Sequence, residues 1–378
     1  MRRVIFAAIM ILALWAFPFA AYAAEDDLGL TAQAYVLLDG NSGQTVCEKN
    51  SDQRLYPAST TKIMTLVLAM EALNNGKINL DDQVTTSKEA ASMGGSQVYL
   101  FEGETRSVRE MIIAIAVGSG NDASVAMAEF IAGSNQGFIK MMNEKARQLG
   151  MSGTNFTNAH GLHDENHYTT AADLAKLSFC AINTPGLLEY TTIYEYDFRP
   201  EPKPLKLWNT NRLLKWYDGC KGLKTGYTPE AGRNLASVVD RDGTRLISVV
   251  MGVEEAKGHF TESMKLLNYG FNTYQFKRLY EAETVISEIP VAKGRSAEIK
   301  LVVKSDVGCL LKKGDDQKLS VTTSVPTELE APFEAGQVAG KLELLANGKQ
   351  VAVYNLVTKE AVARGSMWGT WKKFFTCI

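Results

Sequence analysis

The sequence predicts an α/β (α+β) protein: an antiparallel sheet flanked by helices with an all-helical subregion, followed by a small all-β domain. Three observations carry this. Strand-like runs stand at both ends of the first 280 residues with helical runs between them. One sheet must therefore be assembled from distant segments, with helices covering its faces. One of the helical runs is apolar nearly all round, which marks a buried central helix. Beyond residue 284 the texture changes to short apolar runs broken by Gly, Asp, Pro and Asn. A chain of 378 residues that is 46% hydrophobic has room for two cores.

Arg2 and Arg3 precede an apolar run over 4–21, and Ala21-Tyr22-Ala23 supplies a cleavage site. This is the pattern of a secretory signal over 1–23, with the mature chain starting near Ala24; a retained membrane anchor is the alternative. Past it, no stretch is apolar and long enough to span a bilayer. Residues 1–23 hold no acid, so losing the two arginines takes the formal net charge from −2 to −4. Nothing in that balance points to nucleic acid as a partner. The cysteines at 47, 180, 220, 309 and 377 include no C-x-x-C pair, which argues against a zinc cluster or a thioredoxin-type site.

A strand is predicted over 34–38, with a turn at 39–43 and a return strand through Val46. The helix over 59–74 carries Ile63, Met64, Leu66, Val67, Leu68 and Met70 around its circumference. A helix over 108–117 leads into Ser119-Gly120-Asn121, and another runs over 122–132. The amphipathic run 138–149 stops at Gly150. Residues 222–227 read as a strand edge. A hairpin follows, 235–239 and 246–253 around Asp240-Arg241-Asp242-Gly243, and a helix over 261–274 closes the first domain, 24–280. The β domain, 281–360, has no nucleophile-plus-base pattern and reads as a spacer or docking module. In 361–378, Trp368, Trp371, Phe374 and Phe375 fall at helical spacing with Arg364, Lys372 and Lys373 among them. That composition suits an amphipathic helix lying on an anionic membrane surface.

Three short patterns carry chemistry. In Ser59-Thr60-Thr61-Lys62 the hydroxyl is a poor nucleophile until a base removes its proton. Lys62 lies one helical turn along the same face, within reach of it. An ammonium is no base, but burial and a second cation, for which Lys224 is the natural choice, lower its pKa. A capping serine and a solvated lysine are the plain alternative, yet an unpaired charge is costly in so apolar a helix. Ser119-Gly120-Asn121 offers a second hydroxyl to relay a proton and an amide to bond a peptide backbone. A simple turn and N-cap is its plain alternative. Lys224-Thr225-Gly226 on a strand edge offers a cation and a hydroxyl for a carboxylate, and Gly226 permits close backbone approach.

S-x-x-K, S-x-N and K-T-G in this order resemble the signature of penicillin-binding proteins and class A β-lactamases. The chain is similar to low-molecular-mass penicillin-binding proteins of the D-alanyl-D-alanine carboxypeptidase type. The resemblance runs over 34–276 and includes Tyr56-Pro57-Ala58-Ser59, His160-Gly161-Leu162 and Gly222-Leu223-Lys224-Thr225-Gly226-Tyr227-Thr228. It implies a β-lactamase/transpeptidase-like fold and a peptidoglycan stem peptide ending in D-Ala-D-Ala as substrate, with β-lactams as mimics of it. Ser59 would be the nucleophile, Lys62 the base, and Ser119 the relay to the departing D-alanine. Asn121, Lys224, Thr225 and Gly226 would bind substrate, and the backbone N–H groups of Ser59 and Tyr227 would form an oxyanion hole. No cofactor is implied, and an exported enzyme at the outer face of the cytoplasmic membrane is expected.

One departure stands out. Relatives often carry an arginine after the last hairpin that assists carboxylate recognition, where this chain has His259; Arg212 is a possible substitute. Asn234 is assigned no chemistry. A class A-like β-lactamase is one rival, but the chain lacks a Glu-x-x-Leu-Asn run. A non-catalytic peptidoglycan-binding protein is another. His160, His163 and His167 have donor types for a metal, yet their spacing is not H-E-x-x-H, so no metal is assigned.

Overall fold

The computed structural model describes residues 28–200 and 203–365. The signal over 1–23 lies outside them, as do the four aromatic residues of the expected anchor. The first sheet joins the hairpin β1 (Ala34–Asp39) and β2 (Thr45–Lys49) to the meander β3 (Cys220–Thr228), β4 (Gly232–Arg241) and β5 (Thr244–Val253). Its order is β2-β1-β5-β4-β3, antiparallel throughout, with Val36 opposite Val249 at the junction. Ala34, Val36 and Leu38 enter the main core on one face, and Tyr35 and Leu37 enter a second core on the other. That double burial is why β1 reads as a continuous apolar run instead of an alternating one.

The central helix, α1 (Lys62–Asn74), buries Lys62 through Met70 and Ala72. Its start differs from the expectation. Ser59 sits in a 3-10 turn, Ala58–Thr61, and α1 begins at Lys62 because Ala58 takes a left-handed φ of 48°. Around it pack α2 (Val108–Ala116), opened by a Ser107/Glu110 capping box, α3 (Asn121–Ala132) and α4 (Asn135–Gln148). The sequence reading did not assign α5 (Ala171–Ile182), which Thr170 caps and which packs on β1 and β5. On the opposite face α6 (Gly258–Thr273) packs Leu266 and Leu267 against the sheet.

Tyr274–Tyr280 is a strand, where the sequence reading kept the first domain going to 280. It pairs with Val307–Lys312, so the chain passes into the β unit directly from α6. The main sheet of that unit has six strands around a third core that includes Ile289, Leu301, Leu344 and Leu356. Val362 pairs with Phe333 and Arg364 with Gly294, and Arg364 lies 3.5 Å from Glu330. Arg364 therefore belongs to the β unit and not to an anchor helix. Among the described residues, no helix is long and apolar enough to cross a membrane, and no disulfide joins Cys47, Cys180, Cys220 and Cys309.

Candidate active site

Ser59 lies half-buried on its 3-10 turn, where no side chain caps the helix. Its Oγ is 2.9 Å from Lys62 Nζ. Lys62 is 0% exposed, and its Nζ donates to Asn121 Oδ1 at 2.7 Å and to the His160 carbonyl at 2.6 Å. Burial, reinforced by the charge of Lys224, holds this amine well below the usual lysine range, against the opposing pull of Asp122. A neutral amine has two N–H donors and one lone pair. Two fixed acceptors take the donors, which leaves the lone pair for the Ser59 hydroxyl. The partner set suits a base.

Asn121 opens α3. With Oδ1 on Lys62 and Nδ2 donating to the Gly94 carbonyl at 2.7 Å, both ends of its amide are engaged within the protein. Ser119 stands two residues earlier, buried, at a left-handed φ of 56° in the break between α2 and α3. Strained backbone of this kind, at Ala58 and again at Ser119, gathers where a side chain must be aimed.

Lys224 is 1% exposed and donates to Thr210 Oγ1 (3.3 Å) and to the Thr225 carbonyl (3.2 Å), and burial pulls its pKa down to about 7. Thr225 Oγ1 donates to Thr210 Oγ1 at 2.6 Å. Gly226 lies against the turn that carries Ser59. A Cβ there would meet the Pro57 carbonyl oxygen at 2.7 Å and the Ser59 and Thr60 nitrogens at 3.0 Å. Only glycine lets edge strand β3 lie this close, with Tyr227, 57% exposed, next along the strand.

Several supporting residues carried no signal in the sequence. Asn234 is fully buried; its Nδ2 donates to the Tyr56 and Pro57 carbonyls (2.8 and 3.0 Å), and its Oδ1 accepts from Gly252 N (2.8 Å). It ties the segment before Ser59 to the sheet. Asn158 Oδ1 accepts from the His160 and Gly161 nitrogens, shaping the loop whose carbonyl holds Lys62. The three histidines have separate tasks: His160 Nδ1 accepts from Leu162 N, His167 Nε2 lies 2.8 Å from Thr61 Oγ1, and His163 stacks edge-on with Tyr56. No group of metal-ligating side chains is present among the described residues. Arg212 is exposed and makes no side-chain hydrogen bond among them.

The profile of the D-alanyl-D-alanine carboxypeptidase family matches residues 20–255, and that of the penicillin-binding protein 5 C-terminal domain matches 274–364. The D-alanyl-D-alanine carboxypeptidase DacF of Bacillus subtilis is 38% identical over 99% of this chain and 100% of its own length. DacA of Haemophilus influenzae is 38% identical over 90% and 87%. The crystal structure of penicillin-binding protein 5 from Haemophilus influenzae superposes with a TM-score of 0.70 at 37% identity, covering 89% of this chain and 98% of that one. Penicillin-binding protein D2 of Listeria monocytogenes, in an ampicillin-bound form, aligns with 64% of this chain and 98% of its own at 32% identity and a TM-score of 0.58. With a serine beside a buried amine and profiles matching 20–255 and 274–364, the protein belongs to the D-alanyl-D-alanine carboxypeptidase family of penicillin-binding serine peptidases.

Proposed function

We propose that Ser59 is the nucleophile that removes the terminal D-alanine from peptidoglycan stem pentapeptides. The observation that carries this reading is the partner set of Lys62, a buried amine with both N–H groups occupied beside the serine hydroxyl. Ser59 Oγ attacks the carbonyl carbon of the penultimate D-alanine as Lys62 takes its proton. The backbone N–H groups of Ser59 and Tyr227 stabilise the oxyanion. As the C–N bond breaks, Ser119 relays a proton to the nitrogen of the departing D-alanine, and water then cleaves the acyl ester. Lys224 sustains the field around this proton transfer, and Thr225 contacts the terminal carboxylate. Asn121 acts first by fixing Lys62, and meets substrate by exchanging its bond to Gly94.

A β-lactam presents an equivalent amide, and its amine stays tethered after ring opening, so the acyl-enzyme persists. Export through residues 1–23 and attachment to the membrane surface through the end of 361–378 complete the reading, with the β unit as spacer. The test is D-alanine release from a pentapeptide, with labelled penicillin in parallel. Wild type should release D-alanine and lose label slowly, and Ser59→Ala should do neither. Rapid loss of label would identify a β-lactamase, and absence of label on wild type a binding protein.

A further inference from the structure

The β unit turns apolar side chains outward where contact with water ordinarily selects polar ones. In the strand Lys349–Thr358, Ala352, Tyr354 and Leu356 enter the third core, so Val353, Asn355 and Val357 point the other way. Val338 stands opposite Val357 in the register, and Val338 and Val353 are 56% and 44% exposed. A sheet face open to water usually alternates to polar residues, so a stripe of valines marks a surface with a use.

That face forms one wall of an open groove of about 1190 Å³ between the β unit and the first domain. The facing wall comes from the C-terminal ends of α1 and α5, with Asn74, Asn75, Phe179 and Asn183. Asn75 and Asn355 make no side-chain hydrogen bond among the described residues, so each amide offers a donor and an acceptor. Asn74 and Asn183 use only Nδ2, on the Pro185 and Phe179 carbonyls, which leaves both Oδ1 atoms open. Of the charged groups lining the groove, Glu71 pairs with Lys145 and Lys176 with Asp173. Lys304 is exposed and has no ion-pair partner among the described residues.

We propose that this groove binds a glycan strand of peptidoglycan, a polymer of N-acetylated amino sugars; the choice of polymer rests on the reading above. The open amides match its hydroxyl and acetamido groups, and Phe179 and the valines match its apolar ring faces. Lys304 is the unneutralised cation that an anionic, carboxylate-bearing polymer requires. The volume exceeds the ~300–1,000 Å³ of a small-ligand pocket and suits a run of linked sugars. Lys62 and Asn74 stand at opposite ends of α1, about 18 Å apart by helical rise. A strand seated in the groove therefore leaves the Ser59 site free for a stem peptide.

The test uses the full chain and strands stripped of their stem peptides, which carry a lactyl carboxylate on every second sugar. Strand binding is measured beside D-alanine release from a soluble pentapeptide. Wild type should bind the strands, and the pentapeptide should not displace them. Lys304→Gln combined with Asn355→Ala should weaken strand binding about 10-fold and leave release from the soluble pentapeptide within about 2-fold of wild type. On intact peptidoglycan the same variant should show a raised KM and an unchanged kcat. Both side chains are exposed, so the fold should survive the changes. A wild type that binds no strands, strands displaced by the pentapeptide, or a variant that binds them as wild type does would each overturn the proposal. So would an equal loss of pentapeptide release in the variant, which would mark a general structural defect. Strands bound by a wild type that releases no D-alanine would keep the groove and overturn the peptidase reading instead.

Discussion

Lys62→Met is expected to lower both D-alanine release and penicillin acylation by about 100- to 10,000-fold, the range for losing a positioned general base. Stability should change far less than activity. Methionine matches the length of the aliphatic stem and relieves the burial of an ionisable group, while the Asn121 and His160 oxygens lose a donor. These opposing effects leave a net change of about 1–2 kcal/mol, measurable by urea unfolding. Lys62→Arg separates basicity from charge. A guanidinium stays protonated at every working pH, so this variant should be as inactive as the methionine. The pH profile of acylation should be bell-shaped. Its rising limb is the loss of the Lys62 proton, held well below the usual lysine range by burial and by Lys224. Its falling limb is the loss of the Lys224 proton, which burial brings down to about 7. The two lysines titrate as a coupled pair, so the limbs belong to the pair.

Gly161→Ala should be nearly as damaging, by a different route. Gly161 holds a φ of 90°, and a Cβ there would lie 1.9 Å from the Ala58 carbonyl oxygen and 3.0 Å from Ser59 N. Both contacts are backbone and cannot swing aside. The turn carrying Ser59 must move, and a displacement near 1 Å costs about 100-fold in rate. Melting temperature should fall as well, by the equivalent of roughly 1–3 kcal/mol for strained backbone. Gly150→Ala is the control. Its φ of 67° is also left-handed, but a Cβ there meets nothing within 4 Å, so stability alone should fall and activity should be kept.

What the sequence made legible follows from which features have a local pattern. The buried all-apolar α1, the strand runs at each end and the three-residue spacing of Ser59 and Lys62 are written in consecutive residues. They placed the sheet and set Ser59 beside Lys62. The 3-10 turn at Ser59 was not legible, because it depends on the left-handed φ of Ala58, a residue that usually continues a helix. Asn234 was assigned no chemistry. Its value comes from standing opposite Gly226 in the β3–β4 register, and register is set by pairing across a turn. Asn158 and the His160 carbonyl act through backbone atoms, which leave no signature in residue type. The middle helix α5 carries an ordinary Thr170 cap and an apolar face, and could have been read from them.

The central claim is that Ser59 forms the covalent bond. Wild-type protein should be incubated with a penicillin, digested and mapped by mass spectrometry. The account predicts one penicilloyl adduct, on the peptide containing Ser59, absent from Ser59→Ala. An adduct on Ser119 or any other residue, or an adduct that survives in Ser59→Ala, would contradict it.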